Sequence, residues 1–140
     1  MSIQHAKKTV QISEDGSTKE AILKHLGDIT GMEVFYNQLL VATRPRPRQG
    51  TLGGVKWFAP DEAIQEDAFQ SKVGLVVKMG PTAFEDDADT TFDGQRVDVG
   101  DWIVYTVKDG AQLIINDVHC RLLGPQHIRM RLSNPDTVTF

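Results

Sequence analysis

A single cysteine, Cys120, stands among the 140 residues, so no intramolecular disulfide can form and the chain holds itself together by burial and hydrogen bonding. Its setting, Val118-His119-Cys120-Arg121-Leu122, is apolar and reads as the place of a buried, inert thiol, which suits a cytoplasmic protein. Also missing is any apolar run near the roughly 20 residues needed to cross a bilayer. The N-terminal stretch lacks the apolar centre of a secretory signal. Nor does either charge dominate: 15 Lys and Arg against 19 Asp and Glu leave a net charge of −4. That balance favours solubility and gives no general field for nucleic acid or an acidic membrane. No internal repeat is present, and the biased segments are an Arg-Pro run and an Asp-rich stretch. With 40% hydrophobic and 24% charged residues, the chain has a globular composition and a length that suits one core.

Along the chain, Ser17-Thr18-Lys19-Glu20 has the spacing of a capping box with Ser17 as the cap. It predicts a short helix with Ile22, Leu23 and Leu26 on one face, ended by Gly27. Residues 1–16 alternate briefly around Val10 and Ile12 and admit two readings, a frayed arm or a strand added to a neighbour. Residues 34–43 (VFYNQLLVAT) read as a strand. The stretch Arg44-Pro45-Arg46-Pro47-Arg48-Gln49-Gly50-Thr51-Leu52-Gly53-Gly54 should break it, since proline lacks a donor and glycine is costly to order. A long mobile loop is expected over about 44–71; its polar stretch from Pro60 to Gln70 could hold a helical turn but has no strong apolar face. Further strands are expected at 72–79, in two pieces around Gly100 over 97–107, at 112–115 and at 118–123. Turns belong at Lys108-Asp109-Gly110 and Asn116-Asp117. Ile128-Arg129-Met130-Arg131-Leu132 alternates apolar and charged residues like a half-exposed last strand. Closely spaced short strands point to a mainly β fold, a small irregular barrel.

The residue types that chemistry requires do not converge. His5, His25, His119 and His127 lack ligand spacing, and Gly50-Thr51-Leu52-Gly53-Gly54-Val55-Lys56 lacks the Gly-Lys-Ser/Thr ending of a phosphate loop. The acidic run Glu85-Asp86-Asp87-Ala88-Asp89-Thr90-Thr91-Phe92-Asp93-Gly94 has no carboxylate at the twelfth position of a calcium loop and reads as solvated. No metal, cofactor or enzymatic activity is expected. Arg44, Arg46 and Arg48 could grip phosphates but more simply keep a loop extended, so nucleic acid ranks last among partners. The informative feature is Val55-Lys56-Trp57-Phe58, an apolar cluster with one of two tryptophans inside a glycine-flanked loop. From local sequence, Trp57 serves equally as a lid over the core or as an anchor for a partner.

The order of pieces resolves the matter by resemblance. Asn37-Gln38-Leu39-Leu40-Val41-Ala42-Thr43, then Gly53-Gly54-Val55-Lys56-Trp57, then Val73-Gly74-Leu75-Val76-Val77-Lys78-Met79-Gly80 is similar to the GroES-type co-chaperonins. Val97-Asp98-Val99-Gly100-Asp101-Trp102-Ile103-Val104-Tyr105 resembles the family's most typical stretch. Gly80-Pro81-Thr82-Ala83-Phe84 and Leu26-Gly27-Asp28 are most like the longer forms encoded by tailed bacteriophages. The resemblance spans residues 34–132, about seven tenths of the chain, with 1–33 an arm and helix and 133–140 a tail. It implies a GroES-like barrel and a seven-membered ring that caps the host's chaperonin ring, which holds the ATP. Val55, Lys56, Trp57 and their apolar neighbour Phe58 would bind that partner, Lys56 departing from the family's aliphatic residue. Neighbouring copies would pair through Leu39, Leu40 and Val41 on one side and Ile128, Met130 and Leu132 on the other. Residues 85–95 would form a roof loop, kept loose and wet by repulsion among its carboxylates. The alternative is a phage virion component, such as a head decoration, neck or tail protein, that reuses the barrel and binds other structural proteins.

Overall fold

The computed structural model describes residues 17–45, 49–52, 55–58 and 70–138, with side chains over 17–45 and 70–138. The arm before Ser17, the turn after Pro60 and the last two residues lie outside these.

Helix α1, Lys19–Leu26, starts one residue later than the capping-box spacing suggests. Thr18, not Ser17, is the cap, its hydroxyl accepting the Ala21 amide at 3.2 Å. Ser17 is buried instead, and its carbonyl is taken by Arg44 Nε at 3.0 Å. Ile22 and Leu26 are buried, each worth about 1.5–3 kcal/mol relative to exposure. Leu23, expected beside them, is 46% exposed. Gly27 ends the helix at φ 71°, and Asn116 Nδ2 donates to the Leu26 carbonyl at 2.6 Å.

Eight strands follow: β1 Leu39–Thr43, β2 Gln49–Leu52, β3 Val55–Phe58, β4 Ser71–Met79, β5 Trp102–Thr106, β6 Ala111–Ile115, β7 Val118–Leu123 and β8 Met130–Leu132. Six form one antiparallel sheet in the order β6-β7-β1-β4-β5-β8. Among the described residues β2 and β3 pair only with each other. Among the described residues the fold is thus mainly β with one short helix, but the sheet is not closed into the expected barrel. Its last strand is cut to three residues because Pro125–His127 forms a one-turn 3-10 segment ahead of it, and β6 and β8 remain as edges.

Both faces of the sheet are covered, which explains why its central strands are apolar without alternation. On one face Leu40, Ala42, Leu75, Trp102 and Cys120 pack beneath Ile22 and Leu26 of the helix. On the other, Leu39, Val41, Val76, Ile103 and Tyr105 pack against Val97, Phe84 and Ile128. The β6–β7 turn has both Asn116 (φ 48°) and Asp117 (φ 67°) in the left-handed region, the geometry that matches strand twist in a two-residue hairpin.

Two expected strands are shorter than their composition. Residues 34–38 turn a corner, with Tyr36 at φ 57° and the Gln38 amide donating to Phe35 O at 3.2 Å, so β1 begins only at Leu39. Residues 97–101 also turn. The Asp101 amide donates to Asp98 O at 3.0 Å, Asp101 Oδ2 accepts the Asp98 amide at 2.8 Å, and Gly100 sits at φ 98°.

Candidate partner-binding site

β1 and β4 are antiparallel neighbours, and their register locates the long connection between them. Thr43 lies opposite Gly74, so residues 44–70 leave and return side by side at one end of the pair. The connection from β4 to β5 leaves beyond Met79, opposite Leu39, at the other end.

The root of the 44–70 connection is well held. The Arg44 amide donates to Val73 O at 2.8 Å, and the Val107 amide to Gln70 O at 2.9 Å. Gly74 admits the close approach of β1, since a Cβ there would collide with the Val41 side chain. Thr43 Oγ1 and the Tyr105 hydroxyl share a hydrogen bond of 2.5 Å. The Arg44 side chain, 14% exposed, lies 5.7 Å from the Trp102 ring centroid and pairs with Asp136 as well as Ser17 O.

Within the connection, β2 and β3 form a hairpin in the register Gln49↔Phe58, Gly50↔Trp57, Thr51↔Lys56, Leu52↔Val55. β1 ends at Thr43, as the Arg-Pro run implies, but Gln49–Leu52 within the same stretch forms a separate strand, in which Gly50 needs only its backbone to pair with Trp57. Gly53-Gly54 joins the strands, the composition that a two-residue hairpin connection demands. Val55 and Trp57 occupy alternate positions of β3, as do Lys56 and Phe58. Arg46 and Arg48 lie outside the described residues.

The expected subunit edge at Leu39, Leu40 and Val41 requires correction. β1 is hydrogen-bonded to β7 on one side and β4 on the other, and all three residues are at most 2% exposed, so it offers no free edge. Of the residues assigned to the other edge, Ile128 is half-buried, Leu132 is buried against Trp102, and Met130 is 53% exposed. Among the described residues β8 pairs only with β5 and keeps one edge open.

A second apolar surface escaped the sequence reading. The corner at 32–36 and the turn at Val99 border a groove of about 930 Å³ whose walls include Met32, Phe35, Tyr36, Met79 and Val99. Phe35 is 60% and Tyr36 76% exposed. The corner is fixed from across the fold. Gly80 N donates to Gln38 O at 2.8 Å and Thr82 N to Tyr36 O at 3.1 Å. Only Gly31 and Asn37, turn-forming residues at either end, hinted that the aromatic pair is not strand.

The remaining candidates have local explanations. Asp86 Oδ1 accepts the Phe92 amide at 2.7 Å, and Asp87 Oδ1 accepts those of Asp89 at 2.8 Å and Thr90 at 2.7 Å. Among the described residues no group of three His, Cys, Asp or Glu could hold a metal ion, and no helix is long and apolar enough to cross a membrane. His127 Nδ1 accepts the Gly124 amide at 3.0 Å. Burial pushes the Cys120 thiol up to about 11, which leaves it protonated and unreactive near neutrality. No family model matches the chain, and no curated protein matches it.

Proposed function

We propose that the protein is a co-chaperonin-like ring protein, with a GroES-like fold, that caps a chaperonin folding chamber in the host cytoplasm and performs no chemistry itself. The observation that carries this reading is the placement of the 44–70 connection. It springs from one end of the central strand pair, carries its own hairpin with the sequence Val55-Lys56-Trp57-Phe58, and lies at the opposite end of that pair from the 80–101 connection. A contact loop and a roof need that division. Burying Val55 and Trp57 would contribute roughly 2–5 kcal/mol per loop, less the ordering cost. One such loop binds weakly and reversibly. Several on one ring gain about 100-fold or more in avidity, with nucleotide held by the chaperonin acting as the switch.

Copies join, in this proposal, through the open edge of β8, with Ile128, Met130 and Leu132, and the exposed corner at 32–36 of a neighbour, which takes the place first given to Leu39, Leu40 and Val41. A seven-membered ring is expected, and Phe35→Ser should shift the native mass toward the monomer. The decisive experiment is co-elution of the purified ring with the host chaperonin, with and without nucleotide, beside Trp57→Ala. Nucleotide-dependent binding lost in Trp57→Ala supports the cap. Binding under no condition would sink it and direct the search to purified virions, where a structural component reusing this fold would be found.

A further inference from the structure

Arg44 is the first residue of the 44–70 connection, and its side chain reaches three distant parts of the chain at once. Nε donates to Ser17 O, just ahead of helix α1, at 3.0 Å. Nη2 pairs with the Asp136 carboxylate in the C-terminal 3-10 segment Pro135–Thr137. The guanidinium carbon Cζ lies over the Trp102 ring, 5.7 Å from its centroid, and Trp102 is itself only 6% exposed. A guanidinium suits this place because its donors point in fixed, diverging directions, so that it can bond two partners while its charge lies over an aromatic ring, a geometry that an ammonium point charge does not fix. Its own backbone amide is meanwhile bonded to Val73 O at 2.8 Å. The residue at which the chain departs the sheet is therefore fixed by backbone on one side and by side chain on the other.

We propose that Arg44 is a positioning residue: by clamping Ser17, Trp102 and Asp136 together it sets the direction in which the 44–70 connection leaves the sheet, and so links that direction to both terminal segments. Its role in partner binding rests on the capping reading above; its role at the root does not. Energy spent ordering a loop subtracts from binding, so a fixed root raises the effective concentration of the contact residues at the partner. Asp136 is the adjustable member of the clamp. Its side chain is 56% exposed, against 14% for Arg44, so solvent and salt reach that arm first.

The test has two arms in the full chain. In the first, a spin label is attached at Pro45→Cys, an exposed site, while buried Cys120 stays unlabelled. Label mobility should rise about two-fold or more in Arg44→Gln, less in Asp136→Asn, and Arg44→Lys should fall between wild type and Arg44→Gln. In the second, affinity for the host chaperonin is compared with the thermal midpoint of each variant. Arg44→Gln should bind about 10-fold more weakly at temperatures where it is fully folded. Unchanged label mobility in folded Arg44→Gln overturns the proposal, whatever the chaperonin result. A lowered midpoint with unaltered affinity would reduce Arg44 to a stabilising contact and overturn its part in binding. If wild type binds no chaperonin while the label responds, the capping reading fails and the clamp stands.

Discussion

The two long connections leave opposite ends of the same strand pair and are secured by different means. Residues 44–70 are tied at their root, by Arg44 and by the bonds at Val73 and Gln70, and among the described residues the hairpin inside them pairs only with itself. Residues 80–101 are stitched along much of their length. Phe84 and Phe92 meet edge to face at 5.4 Å, Val97 is buried, and the amides of Asp89, Thr90 and Phe92 find Asp carboxylates. The acidic segment is exposed, as its charge suggested, yet repulsion does not describe it fully. A carboxylate that accepts local amides replaces water at the backbone, so polar composition marks exposure and not the absence of structure.

This contrast breaks most visibly at Gly80. A Cβ there would collide with the carbonyl oxygens of Tyr36 and Phe35, backbone atoms that cannot swing aside. Gly80→Ala should destabilise by about 3 kcal/mol in denaturant titration, in line with overpacking of a rigid site, and should disturb the 32–36 corner. Little change would mean that the corner is not held by the 80–101 connection at all.

The next effect separates the acidic connection from a buried carboxylate elsewhere in the sheet. Asp109, 6% exposed, lies in the short β5–β6 turn, accepting from the Thr106 hydroxyl at 2.8 Å and pairing with Arg129 at 3.2 Å. Burial works against its ionisation, but the Thr106 hydroxyl and amide together with Arg129 outweigh burial and hold the carboxyl below its usual 3.8. A depressed carboxylate contributes stability that is complete above about pH 4 and is lost as pH falls through its folded value. Asp109→Ala should therefore cost about 1–3 kcal/mol at neutral pH and flatten the stability profile below pH 4. Asp87→Ala, which strips acceptors from two exposed amides, should cost about 1 kcal/mol, near the mean for a hydrogen bond.

How much of this was legible follows from where each cause lies along the chain. The β6–β7 hairpin could be read because Asn116-Asp117 carries its own left-handed turn chemistry between apolar runs. The helix was legible to within one residue, since Ser17 and Thr18 are both competent caps; the Arg44 contact to Ser17 O accompanies the choice of Thr18. Sheet order was not legible. Leu39 to Ala42 carry no alternation, which signals two covered faces but does not reveal that β7 and β4 flank the strand. The clamp partner Asp136 is 92 positions from Arg44, and nothing local announces it. The left-handed Tyr36 is likewise set by carbonyls packed on Gly80, a long-range cause that overrides the strand propensity of its aromatic neighbours.

The smallest effect sharpens the comparison within the 80–101 connection itself. Gly94 sits at φ 79° with no atom of the described residues beyond its chain neighbours within 4 Å of a Cβ placed on it, whereas Gly80 lies outside the left-handed region and is crowded. One glycine is required by its dihedral angle and the other by the space it leaves. Gly94→Ala should then cost only the left-handed strain of an L-residue, about 1 kcal/mol, read as a small shift of the denaturation midpoint with an unchanged slope. A cost near that of Gly80→Ala that appears only above the assembly concentration would show that a second chain fills the space around Gly94. In the proposed ring the neighbouring copies supply that chain, so measuring the cost below and above the assembly concentration would reveal whether the acidic tips meet.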